Sequence, residues 1–332
     1  MMTLPEFTLH RPSSVTEALD KARELIAAGH EFDYISGGTD LLMNYKNRVN
    51  CKAHLISLKG VQELTRLKED SMGAGVTLHQ LEKWKHTPQV MLDALHNLAS
   101  PLIRETGTLG GNLMVDTRCF FLNQSAFWRK SLGYCLKAEG DFCHVVPQKE
   151  ICYATYSSDM GPGLMVLGAK IRLEGPNGTR DIPLTEFYVD EGRDRFQRNA
   201  GEILTQVNLP KDAREWTSGY RKLRLRDTLD FPAMGVAVAV KQAKDNSISD
   251  LRIAICGVSM APLYLVDVAK EFLGEQPTSE VLDKLAEATM NATQPKKNLV
   301  VPTRYRKKMV RVYTRRLLSD LLGEESVATL RI

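Results

Sequence analysis

At 332 residues the chain exceeds the commonest single-domain size and predicts two or three domains, each able to bury its own core. Its 44 basic and 40 acidic residues leave a net charge of only +4, which argues against the one-signed surface of a dedicated nucleic-acid binder. No run approaches the ~20 apolar residues that cross a bilayer, and residues 1–11 carry Glu6 and no apolar signal core, so a cytoplasmic protein without membrane contact of its own is expected.

Along the chain, Val15, Ala18, Leu19, Ala22, Leu25 and Ile26 recur at helical spacing, with Ser13 or Ser14 as N-cap and Gly29 beyond the end. Residues 32–35 predict a short strand running straight into Ser36-Gly37-Gly38-Thr39-Asp40, which the apolar Leu41, Leu42 and Met43 follow. Strands are expected at 54–58 and 71–76, and helices at 78–84 and around 92–98. A second glycine-rich turn follows, Gly107-Thr108-Leu109-Gly110-Gly111-Asn112.

Directly after that turn lie four of the six cysteines, Cys119, Cys135, Cys143 and Cys152, spaced C-x15-C-x7-C-x8-C. Four thiolates satisfy either a structural zinc or one iron–sulfur cluster. Zinc usually draws its ligands as tight C-x2-4-C pairs, and none occurs here. Two disulfides, or buried thiols that merely fill core volume, are the remaining readings, and a reducing cytosol disfavours the first of these.

Beyond the cysteines, 163–169 reads as helix and 170–174 as strand, with Gly175-Pro176-Asn177-Gly178 as a hairpin turn into 179–182. Polar residues 210–215 mark a boundary between a unit 1–215 and an α+β unit 216–332. The second unit predicts strands at 218–224, 233–241 and 248–257, then helices at 266–273, 279–291 and 304–322. In the last helix Met309, Val310, Tyr313, Leu317 and Leu321 form a core stripe, while Arg306, Lys307, Arg311, Arg315 and Arg316 are expected on a solvated face.

A glycine-rich strand-to-helix turn exposes backbone N–H groups to which phosphate can come close. Neither turn matches G-x-G-x-x-G or the phosphate loop that ends in Gly-Lys-Ser/Thr. Two such turns near a metal site, flanked by the hydroxyls of Ser36, Thr39 and Thr108, suit a cofactor with a pyrophosphate between two larger groups.

The phrases Ser36-Gly37-Gly38-Thr39-Asp40-Leu41, Gly73-Ala74-Gly75-Val76-Thr77-Leu78, Gly107-Thr108-Leu109-Gly110-Gly111-Asn112-Leu113 and Asp159-Met160-Gly161-Pro162-Gly163-Leu164 resemble, in order, the FAD-binding medium subunits of molybdenum hydroxylases. This is the xanthine dehydrogenase and carbon monoxide dehydrogenase family. The resemblance runs on through Tyr220-Arg221-Lys222 and Asp230-Phe231-Pro232, and so covers nearly the whole chain. Where most of the family passes almost directly from Gly-Gly-Asn-Leu to the aspartate phrase, residues 116–155 intervene. With Asp116-Thr117-Arg118-Cys119, Tyr134-Cys135-Leu136-Lys137, Cys143-His144-Val145 and Cys152-Tyr153-Ala154-Thr155-Tyr156, this insertion resembles that of 4-hydroxybenzoyl-CoA reductase beta subunits, where four cysteines hold an extra [4Fe–4S] cluster.

The resemblance implies an α+β protein: a PCMH-type, two-subdomain FAD-binding domain over 1–215 with a [4Fe–4S] loop at 116–155, then a C-terminal domain of the CO dehydrogenase flavoprotein type over 216–332. It implies FAD contacts at Ile35, Ser36, Gly37, Gly38, Thr39, Asp40, Leu41 and Leu42 and at Thr108, Leu109, Gly110, Gly111 and Asn112, with backbone amides and the Thr39 hydroxyl donating to pyrophosphate. Asp159 would accept from a ribityl or ribose hydroxyl, Lys222 would lie near the isoalloxazine, and Cys119, Cys135, Cys143 and Cys152 would ligate the cluster. Cys51 and Cys256 match no ligand position, and His144 takes a supporting role.

No catalytic residue is expected on this chain. The resemblance implies partner subunits, one large with molybdopterin and one small with [2Fe–2S] clusters, in a heterohexamer with two copies of each, and a ferredoxin-type carrier as electron source. The implied activity is that of the electron-transfer subunit of 4-hydroxybenzoyl-CoA reductase. An oxidative xanthine or aldehyde dehydrogenase-type hydroxylase is the alternative within the family, and a zinc-stapled interaction module the alternative outside it.

Overall fold

The computed structural model describes residues 3–323. The first unit is built on two sheets. Thr8–His10, His54–Ser57 and Phe32–Ile35 form a parallel three-stranded sheet with His54–Ser57 in the middle. Helix Val15–Ala27 starts where Ser14 caps it, its hydroxyl accepting from the Glu17 amide, and buries Ala18, Ala22 and Leu25 against Ile56. The strand Phe32–Ile35 therefore ends at the top of a covered sheet and delivers the chain directly into the first glycine turn.

The second sheet has five antiparallel strands in the order Leu67–Lys68, Ser71–Gly73, Ile203–Asn208, Lys170–Gly175, Gly178–Pro183. Its middle strand, Ile203–Asn208, is not among the strands expected from the sequence. In that strand Ile203, Leu204, Thr205 and Val207 are buried and Gln206 and Asn208 half-buried, which breaks simple alternation. Strand 71–76 is shorter than expected, ending at Gly73, where the Leu64 carbonyl lies against the backbone and leaves no room for a Cβ.

The C-terminal unit is a four-stranded antiparallel sheet, Leu263–Tyr264, Ile248–Cys256, Met234–Gln242, Thr217–Leu223. Side chains alternate along Met234–Gln242. Val236, Val238 and Val240 pack under helices Ser279–Asn291 and Thr303–Leu322, whereas Ala237 and Ala239, with Ala254 of the next strand, face the first unit. Those small residues share one core with Met160, Leu164, Met165 and Val166 of helix Met160–Val166. The two units are thus joined by a continuous apolar core.

The last helix departs from expectation most strongly at Arg306. Arg306 is fully buried, not solvated: its guanidinium donates to the Gly257 carbonyl at 2.7 Å, to Asn298 Oδ1 at 3.1 Å and to the Lys296 carbonyl. Burial pulls its pKa down to about 10. Three acceptors on a buried arginine lock the helix to the loops before it.

Candidate functional site

The two glycine turns lie against each other. Gly37 approaches so closely that a Cβ there would meet the Thr106 carbonyl oxygen at 2.1 Å, and Thr108 Oγ1 donates to Ser36 Oγ at 3.1 Å. Gly38 sits at φ +70, the left-handed conformation that glycine adopts without strain. The amides of residues 37–41 donate to no protein acceptor among the described residues, while Thr39 is exposed at the centre of the run. A series of free N–H groups around a left-handed residue is a concavity suited to an anion.

The second turn is different. Four of its amides are already committed: Leu109 to the Val76 carbonyl at 3.0 Å, Gly110 to Ala74 at 2.8 Å, Gly111 to Thr108 Oγ1 at 3.2 Å and Asn112 to the Thr108 carbonyl at 2.9 Å. Of the residues 108–112 expected to face a pyrophosphate, only Thr108 keeps an amide without a protein acceptor among the described residues. The second turn supplies shape and support. Asn112 Oδ1 accepts from Ser158 Oγ at 2.7 Å and from the Met160 amide at 3.1 Å, which fixes the segment leading into Asp159.

The glycines of this turn also have separate roles. A Cβ on Gly110 would meet Ala74 Cβ at 2.7 Å and its carbonyl at 3.0 Å, whereas one on Gly111 meets only Thr108 Oγ1, at 2.9 Å. Gly110→Val is expected to destabilise the fold by about 1–3 kcal/mol or more through overpacking. Gly111→Val instead displaces a cap and covers the open face of the turn, and the expected result is folded protein that, if the turn faces the flavin as the resemblance implies, binds less of it. Denaturant midpoints and bound flavin, measured on both, check this. Flavin loss without destabilisation in Gly110→Val would reverse the assignment.

Asp159 and Lys222 pair with each other. Lys222 Nζ donates to Asp159 Oδ2 at 3.0 Å and to the Asn97 carbonyl at 3.0 Å, and Tyr220 OH donates to Asp159 Oδ1 at 2.9 Å. The two side chains are 4% and 0% exposed, so both carboxylate oxygens and the ammonium face protein partners in this fold. Burial raises the Asp159 carboxyl, and the ammonium and the Tyr220 hydroxyl oppose that rise.

All four cysteines of the insertion, Cys119, Cys135, Cys143 and Cys152, line a single cavity with Phe121, His144 and Lys137. All six cysteines of the chain are free thiols. Burial pushes the Cys119 thiol up to about 12 and Cys152 up to about 11, so that without a metal these groups are protonated at neutral pH. Among the described residues no group of three or more His, Cys, Asp or Glu is arranged to hold a single metal ion. Cys152 Sγ accepts from the Ala154 amide at 3.4 Å. His144 stacks on Phe121 at 5.1 Å between centroids, packs edge-on against Phe142 and turns Nε2 to the Tyr134 carbonyl.

Residues far from the cysteines in sequence complete the cavity's surroundings. Gly192 lies so close to Cys152 that a Cβ would meet its sulfur at 2.9 Å, and Glu191 accepts from the Cys152 amide at 2.7 Å. Lys137 donates to Asp116 Oδ1 at 2.7 Å, to the Gly192 carbonyl at 2.8 Å and to Thr117 Oγ1. Nothing local in the sequence marks Glu191 or Gly192, because the loop is brought to Cys152 by the fold. The insertion is tied down elsewhere by reciprocal Arg118 and Thr155 backbone bonds and by Asn298, whose carbonyl accepts from the Phe120 amide at 2.7 Å and whose Nδ2 donates to the Tyr153 carbonyl at 2.6 Å.

Comparison with known proteins agrees with this layout. Residues 5–212 match the FAD binding domain in molybdopterin dehydrogenase, and residues 218–321 match the CO dehydrogenase flavoprotein C-terminal domain. The chain is 24% identical over 326 residues to the carbon monoxide dehydrogenase medium chain of Hydrogenophaga pseudoflava, covering 96% of this chain and 98% of that one. It is 29% identical over 272 residues to the aldehyde oxidoreductase FAD-binding subunit PaoB of Escherichia coli K12, covering 77% and 82%. Its fold is similar to that of a chain in the crystal structure of the Cu,Mo-CO dehydrogenase, with a TM-score of 0.77 at 22% identity over 98% of this chain and 100% of that one. With the FAD-domain match spanning well over half of its length, the chain belongs to the family of FAD-binding medium subunits of molybdenum hydroxylase-type oxidoreductases.

Proposed function

We propose that this chain is the FAD and [4Fe–4S] electron-transfer subunit of a 4-hydroxybenzoyl-CoA reductase, an enzyme that reductively removes an aromatic hydroxyl from a CoA thioester. The observation that carries the reading is the single cavity lined by Cys119, Cys135, Cys143 and Cys152, set in an insertion between the second glycine turn and Asp159. A zinc ion would need four sulfurs each about 2.3 Å from one point. A four-iron cluster is larger than an ion and is held by four thiolates around it, and four cysteines around one space supply that number.

Within this reading the chain divides at 215/216, and residues 37–41 hold the flavin pyrophosphate. Bound FAD supplies the capacity to exchange electrons singly or in pairs. The protein's part is to orient it: Thr108 and Ser36 hold the two turns together, Asn112 fixes the approach to Asp159, and the Lys222–Asp159 pair fixes the strand Thr217–Leu223 behind it. Chemistry on substrate falls to a large molybdopterin subunit and a small [2Fe–2S] subunit, in a cytoplasmic heterohexamer with two copies of each chain, and a ferredoxin-type carrier delivers electrons at the cluster. The relatives named for carbon monoxide and aldehyde oxidation support a second reading, in which electrons leave through this chain.

Anaerobic purification of the assembly from its host is the test. The expected result is three gene products with molybdenum, flavin and extra iron on this chain, and dehydroxylation of 4-hydroxybenzoyl-CoA by a reduced low-potential donor. Aldehyde or purine oxidation in its place, or zinc in the cysteine cavity, overturns the proposal.

A further inference from the structure

Arg118 stands at the head of the cysteine insertion, one residue before Cys119, yet its side chain serves the first glycine turn. The guanidinium pairs with the carboxylate of Asp40 and is 13% exposed. Its central carbon lies 4.0 Å from the centroid of the Phe231 ring, which comes from the C-terminal unit. The Nε is buried and has no hydrogen-bond partner among the described residues. The backbone of Arg118 is fixed independently of any metal, its amide and carbonyl bonded to Thr155 at 2.8 and 2.7 Å.

Asp40 lies within the run of free amides at 37–41. An unpaired carboxylate there competes for those N–H groups and repels a diphosphate in the low-dielectric margin of the protein. With the guanidinium against it, that charge is cancelled.

We propose that Arg118 is a positioning residue for the flavin pyrophosphate, neutralising Asp40 so that the turn accepts a diphosphate, and that the cysteine insertion is thereby part of the flavin site. The inference rests on the reading that residues 37–41 take the pyrophosphate. It makes the insertion more than a carrier for its cysteines: the residue before Cys119 links it to the flavin turn on one side and to Phe231 on the other.

The test is titration of the deflavinated full chain with FAD, which carries the pyrophosphate, and with riboflavin, which carries no phosphate. Arg118→Met keeps the apolar stem and removes the charge. FAD affinity is expected to fall by at least about tenfold, with riboflavin affinity unchanged. Adding Asp40→Asn to Arg118→Met is expected to recover most of the loss, which a purely structural role would not do. Unchanged FAD affinity in Arg118→Met, or equal losses for FAD and riboflavin, overturns the inference. Gly38→Val separates the two levels: if it leaves FAD binding intact, the placement of the pyrophosphate is wrong, whereas if it abolishes binding and Arg118→Met does not, only the role of Arg118 fails.

Discussion

Lys222→Met is expected to lower stability by about 3–5 kcal/mol, the cost of breaking a buried ion pair from one side. Lys222 brings a fully buried ammonium to Asp159 Oδ2 and to the Asn97 carbonyl, both at 3.0 Å. Methionine matches the stem but leaves the Asp159 carboxylate with Tyr220 as its remaining side-chain partner. The pair connects strand Thr217–Leu223 of the C-terminal unit to the start of helix Met160–Val166 in the first, so the loss should appear as one cooperative shift in denaturant midpoint. Adding Asp159→Asn should return part of it, because the orphaned charge is then gone. A single-variant loss below about 0.5 kcal/mol, the range of ordinary surface changes, would show that the pair is not load-carrying. Flavin content of the still-folded fraction tells separately whether Lys222 also acts near the isoalloxazine.

Much of the fold was legible because its elements carry their own local signals. The Val15–Ala27 helix has a serine cap and a regular apolar face, and the hairpin Lys170–Gly175 to Gly178–Pro183 has a turn that only its residues favour. The Ile203–Asn208 strand is not legible in the sequence because it is central and buried on more than one side, which erases alternation. Arg306 escapes the pattern for a related reason. Its position in a run of basic residues predicts a solvated face, and only the loop carbonyls at Lys296 and Gly257, distant in the pattern, turn it inward.

The site divides in the same way. The glycine turns and cysteines are marked by residue type, and the fold places the turns side by side and the cysteines around one cavity. How many amides each turn leaves free is not written in either phrase. It follows from the Ala74 and Val76 carbonyls, which take the amides of Gly110 and Leu109. Glu191 and Gly192 against Cys152, and Arg118 against Asp40, are tertiary contacts between segments 39 to 78 residues apart, so periodicity and motif could not show them.

If the cysteine cavity holds the proposed [4Fe–4S] cluster, Cys135→Ser is expected to remove its iron, about four atoms, and to leave FAD bound. Serine cannot replace the thiolate, because its hydroxyl stays protonated where a cysteine ionises on metal binding. The flavin turns should survive the loss, since Thr108 to Ser36 and the Arg118 bonds to Thr155 lie outside the cavity. Iron and acid-labile sulfide are measured beside flavin on protein prepared without oxygen, with Cys51→Ser as the control. Cys51 is half-buried, lies outside the cysteine cavity and donates to the Tyr45 carbonyl, so its variant should keep both cofactors. Retained iron in Cys135→Ser, or equal loss in the two variants, would remove Cys135 from the ligand set. Loss of flavin together with iron would instead show that the cluster holds Arg118 in place, and the insertion would then have to be treated as one cooperative unit with the flavin turn.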